Sequence, residues 1–187
     1  MSVLRCYSQK KTGFDVEARG LLGALRDQLG IRGLESVVIL NRYDADQIDP
    51  AIYEQAKGIV FSEPQVDAVY DETFPVPEYP HRILAVEALP GQFDQRAASA
   101  VECVRLIDPE AAVRIRSGRL LLFDRPLSPE GMEAVRRYCI NAVECREKEL
   151  AVLREADEAA SEPVPVLAGF RRMEAPERAA YLSLIHI

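Results

Sequence analysis

Four cysteines, two histidines and one polar turn are the residues here whose types and spacing would carry chemistry. A zinc site needs about four convergent nitrogen or sulfur ligands. Cys6, Cys103, Cys139 and Cys145 have no Cys-x-x-Cys spacing, and two histidines cannot complete a set. A thiol nucleophile needs a base beside it in space, and the sequence names none. Cys103 falls on a helical pattern with an apolar stripe, and Cys139 takes the place of Val60 in an internal repeat, so both read as core residues. All four are expected as free thiols in a reducing compartment. His81 follows a Pro-rich connector and reads as an exposed loop residue, and His186 lies in an apolar tail. Neither a Gly-x-x-x-x-Gly-Lys-Ser/Thr phosphate loop nor a Gly-x-Gly-x-x-Gly occurs. No catalytic, cofactor-binding or metal-binding residue is assigned, and no cofactor is expected in this chain.

The polar turn is Leu89-Pro90-Gly91-Gln92-Phe93-Asp94-Gln95-Arg96-Ala97. Pro90 and Gly91 make a turn after a strand, and Asp94 is placed to cap the next helix. That accounts for Gly91 and Asp94. It leaves Gln92, Gln95 and Arg96, polar side chains at a helix N-terminus that would hold an anion or a neighbouring domain. Gln92, Asp94, Gln95 and Arg96 are therefore the candidate interdomain contact.

The elements that position this turn form an internal duplication. Gly13-Phe14-Asp15 and Gln92-Phe93-Asp94 stand 79 residues apart, as do Asp49-Pro50 and Ser128-Pro129. Each is helix-start chemistry, a capping side chain followed in the latter pair by Pro at the first helical position. Ala18, Leu22, Leu25 and Leu29 form an apolar stripe, matched by Ala97, Val101 and Val104. Tyr53, Ala56 and Val60 are matched by Met132, Val135 and Cys139. Strands are expected over 3–9, 36–43 and 66–70, and over 82–89 and 142–146. Ser117-Gly118 reads as a tight hairpin turn between strands at 113–116 and 119–123.

The predicted class is α+β: two ferredoxin-like β-α-β-β-α-β repeats. Their two sheets, each apolar on one face, would pack as an intrachain pseudo-dimer. The first repeat takes residues 1–72, a Pro-rich connector 73–80, and the second repeat 81–147. Residues 148–187 read as a helical linker and the truncated start of a further domain, with a foreign tail after Tyr181.

Hydrophobic residues make up 48% of the 187, enough for a sizeable core. The net charge of -7, from 30 acidic and 23 basic residues, gives no clustered basic surface for nucleic acid. No apolar run approaches the roughly 20 residues needed to span a bilayer, and the first residues lack the pattern of a signal peptide. The expected location is cytoplasmic, with no nucleic-acid or membrane partner.

Several segments resemble, in order, phosphoribosylformylglycinamidine synthase in its large single-chain form. They are the turn from Leu89 to Ala97; Leu40-Asn41-Arg42-Tyr43-Asp44; Phe61-Ser62-Glu63-Pro64 with Val66-Asp67 and Val69-Tyr70; Ile140 to Glu147; and Val164-Pro165-Val166-Leu167 with Gly169-Phe170. The likeness extends to about Tyr181. Ala142 and Cys145 depart from the family pattern, which has Pro and Ser there. The resemblance implies the N-terminal, small-subunit-like domain and the start of the linker of an ATP- and glutamine-dependent ligase of purine biosynthesis. That enzyme hydrolyses glutamine, activates the formyl-amide oxygen of formylglycinamide ribonucleotide with ATP, and replaces it with ammonia. ATP and Mg are expected for the full-length enzyme. The family's Ser-Asp-His-Cys-Arg-His segment and glutaminase triad do not occur here, so the chain alone is expected to be non-catalytic. It would act as a docking and coupling module for the synthetase and glutaminase domains. The alternative is a stand-alone ferredoxin-like regulatory or assembly module that binds a small ligand or separate enzyme subunits.

Overall fold

The computed structural model describes residues 3–75, 83–148 and 173–176. The chain divides into two compact units, Met1–Arg154 and Glu155–Ile187. The first holds β1 (Leu4–Lys10), α1 (Val16–Asp27), β2 (Val37–Asp46), α2 (Pro50–Ile59), β3 (Asp67–Asp71), β4 (Ile83–Ala88), α3 (Gln95–Ile107), β5 (Arg114–Phe123), α4 (Pro129–Cys139) and β6 (Cys145–Glu147). In the second, residues 173–176 alone are described. Pro77, Pro80, His81, His186 and most of the expected linker lie outside the described residues.

Local chemistry sets the helix starts. Asp49 accepts hydrogen bonds from the N–H groups of Ala51 (2.8 Å) and Ile52 (3.4 Å), and Ser128 accepts from Gly131 N (3.0 Å). Each is followed by Pro, whose missing N–H costs nothing at the first helical position. The stripes read from sequence are the packed faces: Ala18 and Leu25 on α1, Ala97 and Val104 on α3, Tyr53 and Ala56 on α2, Met132 and Val135 on α4.

The six strands of the described residues join one antiparallel sheet in the order β3-β1-β2-β5-β4-β6. Each half therefore runs β-α-β-α-β, and this corrects two expectations. Residues 114–123 form one strand, with no hairpin at Ser117-Gly118, because β2 pairs along its whole length from Val37↔Phe123 to Asp46↔Arg114. That same pairing joins the halves edge to edge in a single sheet, not as two sheets laid face to face.

Gly118 has a different reason to be glycine. A Cβ there would stand 3.0 Å from Nη2 of Arg42, its cross-strand partner, and 3.2 Å from the Val86 carbonyl oxygen. Glycine inside a strand marks close approach by a neighbour, and here the neighbour is a guanidinium.

The duplication holds element by element, with one adjustment. The buried positions of the helices correspond at the offset of 79 residues, as Ala18 and Leu25 answer Ala97 and Val104. The strands correspond at 78: Cys6↔Tyr43 in the first half answers Leu84↔Leu121 in the second, and Ser8↔Val69 answers Val86↔Glu147. Side chains alternate along a strand, so a one-residue slip would turn every one to the wrong face. The connecting loops absorb the difference.

The cores interlock the halves. One gathers Cys6, Tyr43 and Ala45 with Tyr53 and Ala56 of α2, Ala97, Ala100 and Val104 of α3, and Val113 and Ile115. The other gathers Ala18 and Leu25 of α1 with Met132 and Val135 of α4, Val37, Ile39, Leu84, Leu121 and Phe123. Each of these two takes strands and helices from both repeats, and a third cluster, Tyr7, Leu40, Ala85, Leu120 and Leu122, joins strands of both repeats.

Candidate functional site

The Leu89–Ala97 turn sits where β4 leaves the sheet. Gly91 has φ 85°, in the region glycine enters without steric cost, and Gln92 N–H donates to Leu89 O at 3.0 Å. The Gln92 side-chain amide donates to Val143 O (3.3 Å). Asp94 carries the largest load. Its Oδ1 accepts from Ala97 N (2.9 Å), the helix cap, and from Ser117 Oγ (2.8 Å), while Oδ2 accepts from Ser117 N (2.9 Å). β4 pairs with β5 only as far as Glu87↔Gly118, so Asp94 takes over the next amide that the strand leaves behind.

Arg96 Nη1 donates to the hydroxyl of buried Tyr43 at 3.3 Å. Gln95 is exposed, and Phe93 is 79% exposed. Of the four sequence candidates, Gln92, Asp94 and Arg96 thus contact the domain's own backbone and side chains. Gln95 faces solvent.

The first-half counterpart is built alike with a lighter load. Gly13 has φ 95°, Phe14 is 55% exposed, and Asp15 accepts from Gly13 N (3.0 Å) and pairs with Arg19 (3.3 Å). Its side chain makes no hydrogen bond that caps α1. Glu17, in the first turn of α1, pairs with Arg119. Ser117 and Arg119 are two residues apart on β5, so both helix starts are tied to the same stretch of the central ribbon.

A second cluster escaped the sequence reading. On the sheet face opposite the helix cores, Asp44 lies between Arg42 (Nε at 3.0 Å) and Arg5. Arg42 also reaches Glu87 (3.2 Å), which in turn pairs with Arg146 (2.8 Å) and Lys148 (3.7 Å). Arg5, Arg42 and Asp44 are almost fully buried. Charges taken from water are tolerated only when paired, and this ladder pairs them across β1, β2, β4 and β6, spanning both repeats. The signal was present as Arg42-x-Asp44, two opposite charges on one face of a strand that opens Val37-Val38-Ile39-Leu40.

The thiols divide by environment. Burial pushes the Cys6 thiol up to about 12, against a smaller opposing effect of the Tyr53 hydroxyl. Tyr53 is itself pushed up by burial and donates to Asp71 at 2.8 Å, where Lys57 also pairs (2.7 Å). A thiol so held is no nucleophile at neutral pH. Cys139 is half-buried against the second core, where burial raises it, as its match to Val60 predicts. Cys103, expected in the core, is exposed. Its helix turns Ala97, Ala100 and Val104 inward and position 103 outward. Among the described residues no group of His, Cys, Asp and Glu is arranged to hold a metal ion, and no helix is long and apolar enough to cross a membrane.

Comparison of the chain with protein-family models and with curated proteins finds no match.

Proposed function

We propose that this chain is the N-terminal docking and coupling module of a phosphoribosylformylglycinamidine synthase, without an active site of its own. The observation that carries the reading is the ordered set of motifs, read beside a duplicated α+β unit. The segments that resemble the family fall at equivalent places in the two halves: Phe61 to Tyr70 leads into and along β3, and Ile140 to Glu147 leads into and along β6. On this reading the halves are two copies of one small subunit, joined through β2 and β5 as an intrachain pseudo-dimer.

The chemistry gives such a module a purpose. Ammonia released from glutamine must reach the ATP-activated amide without escaping to water, so the two catalytic domains need a common platform. A single sheet whose two halves are joined through shared cores is suited to carry two neighbours. The Gln92–Arg96 turn is the proposed contact. Gln95 and Arg96 are its test residues, since Asp94 is committed to Ser117 and α3.

The experiment adds the purified chain to a phosphoribosylformylglycinamidine synthase lacking its N-terminal domain. Glutamine-dependent amidine formation should return, with about one glutamate released per amidine. Gln95→Ala with Arg96→Ala should release glutamate without matching synthesis. No recovery with the unaltered chain overturns the proposal.

A further inference from the structure

We infer that the docking surface is bipartite: the turns carrying Phe14 and Phe93 together grip a protein surface that offers two apolar sockets rimmed by carboxylates. This rests on the docking reading above and extends it to a first-half turn that the sequence candidates did not include.

The first observation is an unexplained aromatic, present twice. Phe14 and Phe93 directly precede the aspartates at the helix starts, Asp15 and Asp94, one in each half, and are 55% and 79% exposed. An apolar residue at this position normally packs on the fourth residue of the helix, fixing the entry of the chain. Those residues are Arg19 and Ala98, and the rings stay in water instead. Val16, beside Phe14, is 68% exposed. Single exposed apolar side chains are ordinary, but the same exposed ring on the same turn of both repeats is not accounted for by folding.

Charge selects the occupant. Lys11 lies in the turn that ends at Phe14, since Phe14 N–H donates to Lys11 O at 2.9 Å. Its ammonium donates only to carbonyl oxygens among the described residues, Pro64 O at 2.7 Å and Gln65 O at 3.4 Å. Arg96, in the first turn of α3 after Phe93, donates to the Tyr43 hydroxyl. In a chain of net charge -7, where most described cations meet a carboxylate, Lys11, three residues before Phe14, and Arg96, three after Phe93, pair with none among the described residues. A turn that carries both an exposed ring and a cation without a carboxylate partner fits an apolar socket with an acidic rim. Nucleic acid, the other polyanion, would need many more cations than two.

The common anchorage ties the two turns to one stretch of β5. Asp94 is fixed to Ser117 and Glu17 to Arg119, two residues apart on β5. Each turn is thus held by the rigid central ribbon, and a partner that fits one presents its second socket to the other at a fixed spacing. Two contacts joined in this way add effective concentration to intrinsic affinity.

The test measures binding of the full 187-residue chain to the synthetase–glutaminase polypeptide of phosphoribosylformylglycinamidine synthase lacking its N-terminal domain, by calorimetry at low and high salt. Phe14→Ser and Phe93→Ser should each weaken binding about tenfold or more, the usual range for a buried aromatic anchor. The double variant should reduce it to near background. Lys11→Glu should weaken binding at low salt and lose its effect at high salt. Urea unfolding midpoints of the exposed-residue variants should match the unaltered chain, which separates docking from folding. If the unaltered chain binds and all three single variants bind equally well, the bipartite surface is overturned and the docking function stands. If only Phe93→Ser matters, the first-half turn is not part of the surface. If the unaltered chain does not bind, the docking function itself fails, and this surface with it.

Discussion

The two cores under the helices are filled differently, although equivalent elements of the two repeats build them. The core under α2 and α3 is aromatic and small: Tyr43 stacks on Phe61 with centroids 4.8 Å apart, Tyr53 tilts against the same ring at 6.1 Å, and Ala45, Ala56, Ala97 and Ala100 fill the space between. The core under α1 and α4 is aliphatic, with Leu25, Leu34, Leu84, Leu121 and Val135 around Phe123. Duplication therefore preserved the architecture and not the packing. Close packing requires complementary shapes, not particular residues, and each core found its own solution. What the cores share is composition by half: each is assembled from one repeat's helix laid against the other repeat's helix and the central ribbon.

That shared dependence makes the largest prediction. A fragment ending at residue 75 would keep α1 and α2 but lose α3 from one core and α4 from the other. Neither that fragment nor one starting at residue 83 should show cooperative unfolding alone, because each lacks half of both cores. Mixed at equal concentration they should recover a sigmoidal urea transition whose midpoint rises with concentration. A cooperative transition in either fragment alone would show that the halves are independent domains that happen to share a sheet.

The two helix starts give the next largest effect. Asp94 accepts three hydrogen bonds and completes both α3 and β5, whereas Asp15 accepts one amide hydrogen bond and a partly exposed ion pair. Asp94→Ala should lower unfolding stability by about 2–4 kcal/mol, a lost cap plus an orphaned strand amide. Asp15→Ala should lower it by less than about 1 kcal/mol. Equal losses in denaturant titration would mean that Ser117 is not held by Asp94 in solution.

The same contrast explains what was legible in the sequence. Helix positions followed from local chemistry: Asp49-Pro50 and Ser128-Pro129 each start a helix where caps and prolines say so, and the buried stripes are the ones periodicity picks out. Five strands were placed to within a few residues. The failures were long-range. Ser117-Gly118 looks like a turn because its local conformational preferences are those of a turn, but ten consecutive partners on β2 extend it, and the glycine answers to Arg42 on the next strand. Cys103 was assigned inward because an apolar stripe has a width that sequence does not give. Of the charge ladder only Arg42-x-Asp44 was there to be read; its members come from four strands, and only their pairing shows that Arg5, Asp44, Arg42 and Glu87 meet. The turn from Leu89 to Ala97 was recognised as special, yet the reason for Asp94 lies 23 residues away in Ser117.

The smallest predicted effect compares the two ends of the central ribbon. At one end Asp46 pairs with Arg114 at 2.9 Å, an exposed contact of the kind worth little. At the other, Asp124 closes the ribbon onto the chain entering β2, accepting from Glu35 N and Ser36 N, both at 3.1 Å, and pairing with Arg125 at 3.4 Å. Partial burial works against ionisation of Asp124, but the amides of Ser36 and Glu35, its own amide and Arg125 outweigh it and hold the carboxyl below its usual value. A depressed folded-state value means that the ionised form is favoured by folding. Its contribution is fully present above the ordinary aspartate value of about 3.9 and is lost as pH falls through the lower, folded-state value. Asp124→Asn should therefore destabilise the protein modestly at pH 6 and progressively less as acid is added, until variant and parent converge. Asp46→Asn, which removes only an exposed ion pair, should lower the midpoint at pH 6 by less. Urea midpoints of both variants at pH 6 and pH 3 measure this directly. A constant gap for Asp124→Asn across that range would show that the carboxylate holds the ribbon end by shape and hydrogen bonding alone, with its charge contributing nothing.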